Sequence, residues 1–137
     1  MRVYFDSSAF AKRYIQEAGT DTVLEWCQRA NEMLLSVITV PEIISALCRL
    51  QREVRLSVEQ YHGIKQALLA DISDALICEM APPVIQRAVH ALEQYPLRGM
   101  DAIHVGAALA ANADRFLSAD QRQCLAAQAL GLNVVVV

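Results

Sequence analysis

A chain of 137 residues is the size of one ordinary domain, with room for a single substantial core. Apolar residues make up 55% of it and charged ones 20%, a balance that excludes disorder and fits a compact globular fold. The net charge of −3 carries no basic excess, but ten arginines against two lysines permit phosphate recognition, because the planar guanidinium can bond two oxygens at once.

In chain order, residues 2–5 (RVYF) are a short apolar strand broken by Asp6-Ser7-Ser8, which starts a helix carrying Phe10, Tyr14 and Ile15 at helical spacing. Gly19-Thr20-Asp21 ends that helix and opens another, with Val23, Leu24 and Cys27 as its apolar stripe. Residues 33–38 (MLLSVI) have the pattern of a buried strand. Thr39-Val40-Pro41-Glu42 then opens a helix, and Thr39-x-x-Glu42 has the form of a capping box. A long helix is expected from Ser57 to about Ile72, capped by Ser57-x-x-Gln60. Residues 75–80 (ALICEM) read as a third strand, and Pro82-Pro83 begin a helix ending near Tyr95-Pro96. Asp101 starts a helix rich in small residues, 115–118 (RFLS) are a fourth strand, and a helix runs from about Asp120 to Leu130. Gly131 stops that helix, and Asn133-Val-Val-Val-Val is a final strand.

Strands alternating with helices predict an α/β fold: a central parallel sheet of about five strands with helices on both faces, in one domain spanning 1–137. Cys27, Cys48, Cys78 and Cys124 are widely spaced and read as small buried residues in a reducing cytosol rather than as a zinc site or disulfide framework. No signal peptide is expected, and no apolar run approaches the roughly 20 residues of a membrane span. The chain is expected to be cytoplasmic, with no membrane partner.

In an open parallel sheet, ligand sites lie beyond the carboxyl ends of the strands. Asp6, Glu42 and Asp120 follow three of these ends, whereas Asp101 opens a helix that does not directly follow a strand. Each acid alone is explained as a helix cap or a dipole partner. Together, crowded carboxylates repel and call for a hard cation such as Mg²⁺ or Mn²⁺. Neutralising them would take the net charge from −3 to +1. The residues by themselves leave the cap and metal readings both open. A receiver-type phosphoacceptor is disfavoured by Ser7-Ser8 and by the lack of any lysine after Lys65. A haloacid-dehalogenase-type phosphatase is disfavoured because Ser8, not an acid, stands two residues after Asp6. No glycine-rich phosphate loop follows any strand. His104, one turn after Asp101, reads as a helix-packing histidine among small apolar residues, with metal ligation as the alternative.

FDSSAFAKRYI, VITVPEIISAL, MDAIHVGAALA and FLSADQRQCLAAQALGLNVV stand in the order and spacing of PIN-domain ribonucleases, so the chain resembles that family from Val3 to Val136, with the VapC-type toxins of toxin–antitoxin pairs the nearest likeness. The resemblance matches Asp6, Glu42, Asp101 and Asp120 to the four family acids, catalytic and metal-binding, and brings Asp101 to the other three. Ser8 and Ser118 match supporting hydroxyl positions; Pro41, just before Glu42, departs from the usual pattern. The resemblance implies a PIN-like, Rossmann-like fold and an endoribonuclease using one or two Mg²⁺ or Mn²⁺ ions to leave a 3′-hydroxyl and a 5′-phosphate. It also implies an RNA substrate, a cognate antitoxin and a homodimer. Lys12, Arg13 and Arg98 are candidate phosphate contacts, against a plainer reading as surface charges. The alternative function is a catalytically silent PIN-like module that binds RNA or protein.

Overall fold

A computed structural model describes residues 1–137. Arg2–Phe5 (β1) is the middle strand of a five-stranded sheet, and its Val3, Tyr4 and Phe5 have no exposed surface. After β1 come helices Ser7–Ala11 (α1) and Thr20–Arg29 (α2), strand Glu32–Ser36 (β2), and helices Thr39–Arg52 (α3) and Val58–Ser73 (α4). The second half comprises strand Leu76–Cys78 (β3), helices Pro82–Gln94 (α5) and Gly99–Ala110 (α6), strand Arg115–Ser118 (β4), helix Gln121–Ala129 (α7) and strand Val134–Val136 (β5). Every pairing is parallel, in the order β3-β2-β1-β4-β5.

Because a strand alternates its side chains between faces, a sheet covered on both sides needs apolar residues at every position. Val3, Phe5, Leu35 and Leu117 pack on one face with Phe10, Val23, Ile43, Leu47 and Leu68 from α1–α4. Tyr4, Leu34 and Phe116 pack on the other with Val84, Val105 and Ala127 from α5–α7. Each such large side chain removed from water contributes about 1.5–3 kcal/mol. The sheet's topology then locates a crevice. The chain leaves β1 for β2 on one side and later returns to β4 on the other, so the strand order reverses between β1 and β4. Ligands of doubly wound sheets sit beyond the carboxyl ends of the strands at such a switch.

Several expected boundaries shift: the second strand starts one residue earlier and ends sooner, as Glu32–Ser36, and the third and last shorten to Leu76–Cys78 and Val134–Val136. The first helix ends at Ala11, where Lys12, Arg13 and Tyr14 turn back to carbonyls three residues earlier. The Ser57 capping box forms as expected, with both reciprocal bonds present. The Thr39-x-x-Glu42 box does not. Ile38 occupies the cap position without a side-chain bond, Thr39 Oγ1 accepts the Ser36 N–H at 3.1 Å, and Glu42 turns elsewhere. The helix expected to start at Asp101 starts at Gly99, placing Asp101 in its first turn.

α6 is set in place by close approach to α5. A methyl group at Gly106 would fall 2.6 Å from the Val84 carbonyl oxygen and 2.9 Å from the Ala88 nitrogen, both backbone atoms that cannot yield alone. Gly106→Ala should gain up to about 1 kcal/mol in helix propensity but lose more by pushing the helices apart, since overpacking a core costs about 1–3 kcal/mol. We expect a net loss of stability in urea denaturation; a stabilised variant would contradict the close packing that positions α6.

Candidate active site

The carboxyl end of β1 delivers Asp6 into the interior, where it is 2% exposed. The β1–β4 register pairs Phe5 with Leu117, so the next residues, Asp6 and Ser118, stand side by side. A buried carboxylate must be hydrogen-bonded to stay ionised at tolerable cost. Asp6 Oδ1 accepts from the Ala9 N–H at 2.8 Å and Ser8 Oγ at 2.7 Å; Oδ2 accepts from Ser118 Oγ at 2.6 Å and Ser8 Oγ at 2.9 Å. The serines are held in turn, since Ser8 Oγ accepts the Ala119 N–H and Ser118 Oγ accepts the Asp120 N–H, each at 3.0 Å. Burial still wins. It raises the Asp6 carboxyl above its ordinary value against the pull of His104 and these donors.

Asp120 caps α7, its Oδ1 accepting the Gln123 N–H at 3.0 Å. Asp101 caps nothing: Arg98 holds the cap position of α6 without a side-chain bond. Both acids open onto a cleft of about 280 Å³ whose other walls are Pro96, Arg98, Gln121 and Arg122, with no hydrophobic residue among them. Neither arginine is ion-paired. Burial first and the Asp120 charge second raise the Asp101 carboxyl, with Asp6 and Glu42 adding to the repulsion. The four acids therefore share one electrostatic site, although Asp6 and Glu42 lie behind the cleft rather than on its wall.

Glu42, in the first turn of α3, accepts at Oε1 from Ser7 Oγ at 2.6 Å and His104 Nε2 at 2.7 Å. Burial acts to raise its carboxyl, but these two donors and the nearby imidazole hold it below the ordinary value. His104 is as buried as a packing histidine should be, at 2% exposure, yet both ring nitrogens are engaged, Nδ1 meeting Tyr4 Oη at 2.8 Å.

The other two candidate cations lie elsewhere. Lys12 is buried and donates to Glu17 and the Ala18 carbonyl, and Arg13 pairs with Asp71 at 2.9 Å. The four cysteines are free, and no helix is long and apolar enough to cross a membrane.

An all-oxygen donor set suits a hard divalent cation. No three of these groups stand close enough to form a closed cage. Mg²⁺ does not require one, because it keeps several waters and takes one or two carboxylates directly. Asp101 and Asp120, open to the cleft and mutually repelling, meet that condition.

Comparison with known proteins is consistent with this arrangement. The PIN domain family model matches residues 3–129. The chain belongs to the PIN-domain family. Ribonuclease VapC45 and Ribonuclease VapC49, each from a strain of Mycobacterium tuberculosis, are 30% identical to it over 142 residues, covering 96% of this chain and 93% of theirs. Among solved structures, VapBC2 from Rickettsia felis, bound to a promoter DNA fragment, superposes with TM-score 0.72 at 12% identity, covering 100% of this chain and 99% of that one. VapC20 of Mycobacterium tuberculosis, a sarcin-ricin loop cleaving toxin, superposes with TM-score 0.71 at 14% identity, covering 98% of this chain and 99% of that one. At these identities the two structures establish the PIN fold.

Sequence reasoning passed over Ser7, Tyr4 and Arg122. Ser7 lay in the serine pair after Asp6, Arg122 two residues beyond Asp120, and Tyr4 gave no signal in a strand of apolar neighbours.

The raised carboxyls carry a stability cost. An acid raised in the folded state favours folding when protonated and loses that contribution as pH rises through its folded pKa. The metal-free protein should therefore gain stability as pH falls through the raised pKa values of Asp6 and Asp101 towards 3.8. Glu42 works in the opposite sense, losing its contribution only below its lowered pKa. Asp101→Asn removes the repulsion but also a helix-dipole interaction of about 0.3–1 kcal/mol. We expect a net rise of about 1–4 °C in the melting temperature at neutral pH in chelator, and a flatter pH profile. A lower melting temperature would show that the carboxylates do not strain one another.

Proposed function

We propose that the chain is a metal-dependent endoribonuclease, the toxin of a type II toxin–antitoxin pair. One observation carries the reading: two unpaired arginines and two repelling carboxylates share a mainly polar cleft, with two further acids behind it. Such a cleft, lined mainly by polar and charged groups, suits a phosphodiester with its counter-cation. The resemblance to VapC ribonucleases over 96% of the chain supports both the reaction and the antitoxin partner.

Asp101 and Asp120 would hold Mg²⁺ or Mn²⁺, with Asp6 and Glu42 completing its surroundings directly or through water. When bound, the ion lowers the pKa of a water and stabilises charge on the scissile phosphate. The chain's own residues do the rest. Arg98 and Arg122 are placed to bond the phosphate oxygens and orient the substrate, in the forked geometry that guanidinium provides. The N-termini of α6 and α7 reach the same cleft and add partial positive charge. Ser8 and Ser118 keep Asp6 from turning. In-line attack by water then leaves a 5′-phosphate and a 3′-hydroxyl. For the homodimer implied by the resemblance, α5 offers an exposed apolar row, Ile85, Val89 and Leu92.

The silent module also has one observation in its favour: three donors of the chain itself, the Ala9 N–H and the Ser8 and Ser118 hydroxyls, already converge on the Asp6 carboxylate. Cleavage of a mixed RNA pool by antitoxin-free protein, with Mg²⁺, with Mn²⁺ and in chelator, separates the two. We expect metal-dependent cutting by the wild type and losses of about 10²–10³-fold in Asp101→Asn and Asp120→Asn, the range for removing one charge-stabilising group. Cutting in chelator, or full activity in both variants, would overturn the nuclease assignment; binding without cutting would establish the module.

A further inference from the structure

Resting on that reading, we propose that His104 is a positioning residue for Glu42, held by Tyr4 in the one ring arrangement that presents an N–H to the Glu42 carboxylate. His104 projects from α6 and joins Tyr4 of β1, Ser7 of α1 and Glu42 of α3. Chemistry fixes the donors. A carboxylate only accepts, so at 2.7 Å from Glu42 Oε1 the proton must sit on His104 Nε2. Ser7 Oγ spends its own proton on the same Oε1 at 2.6 Å, and so at 3.2 Å it faces Nε2 as a second acceptor. The ring cannot turn over, because it is buried and its Nδ1 lies 2.8 Å from the Tyr4 hydroxyl. Tyr4 is wholly buried, stacked on Phe116 at 5.6 Å and edge-on to His104 at 5.9 Å.

The consequence lies at Glu42. Two donors converge on Oε1, so its carboxylate is set in one orientation and Oε2 is left over for a ligand. Without His104 the side chain, one-third exposed, is tethered by Ser7 alone and can swing away. His104 also stands one turn from Asp101 on α6. Partners that orient a ligating group in this way typically carry 10–100-fold in metal affinity or activity.

The test uses the full chain without antitoxin, with Mn²⁺ as the probe. ¹⁵N–¹H correlation of the imidazole, with neither metal nor RNA present, should show Nε2 protonated in the wild type. In Tyr4→Phe, which removes only the Nδ1 partner, it should show exchange between ring arrangements. By calorimetry, His104→Ala should weaken Mn²⁺ binding about 10–100-fold. His104→Gln, whose amide can still donate to Glu42, should recover most of that loss even if both variants are equally destabilised. Tyr4→Phe should weaken binding several-fold and lower kcat more than it raises KM. A wild-type ring lacking the Nε2 proton, or a folded His104→Ala with unchanged Mn²⁺ affinity, overturns the proposal. Should His104→Ala fail to fold, equal Mn²⁺ affinity in wild type, His104→Gln and Tyr4→Phe overturns it as well. A wild type that binds no Mn²⁺ and cuts no RNA overturns instead the nuclease reading, and the imidazole spectrum still decides whether His104 fixes Glu42.

Discussion

The end of the central strand buries a carboxylate, and the surrounding architecture is organised to satisfy it. Leaving a buried polar group without partners costs about 1–3 kcal/mol, and a charged one more. Asp6 reduces that cost by drawing donors from three places: the Ala9 N–H in α1, the Ser8 hydroxyl and the end of β4. The serines in turn accept N–H groups from residues 119 and 120. One buried charge thus ties the end of β1 and the start of α1 to the β4–α7 turn, at the point where the strand order reverses.

A second constraint brings in the rest. α6 does not follow a strand, so sheet topology alone cannot say where Asp101 goes. Its position comes from the α5–α6 contact, where Gly106 lets two backbones meet and His104 reaches across to β1 and α3. The result is an acid site held from both sides of the sheet, rigid behind and open in front. Asp6 and Glu42 are fixed by hydrogen bonds, whereas Asp101 is left to repel Asp120.

That division explains how a site can be both ordered and strained. Capping and ligation are compatible roles, since a helix N-terminus favours the ionised carboxylate that a cation needs. Burial first and repulsion second raise the Asp101 carboxyl, and the cation of the proposed function would relieve the repulsion. The unpaired Arg98 and Arg122 add a separate anion-seeking element to the same cleft.

By itself the sequence determined the element order, the parallel α/β sheet and the placing of Asp6, Glu42 and Asp120 beyond strand ends. These follow from apolar period, caps and turn residues, whose reach is about four residues. It also supported a capping box at Thr39 that tertiary contacts displaced: Ser7 and His104 offer Glu42 two donors from residues 35 and 62 positions away. Only the folded chain decided that Asp101 joins Asp120 in one cleft, that Lys12 and Arg13 are engaged elsewhere, and that His104 links Tyr4 to Glu42. The Asp6–Ser118 and Tyr4–His104 pairs span 112 and 100 residues. Contacts over such separations are set by strand register and by how closely two helices can approach, and no local pattern encodes either.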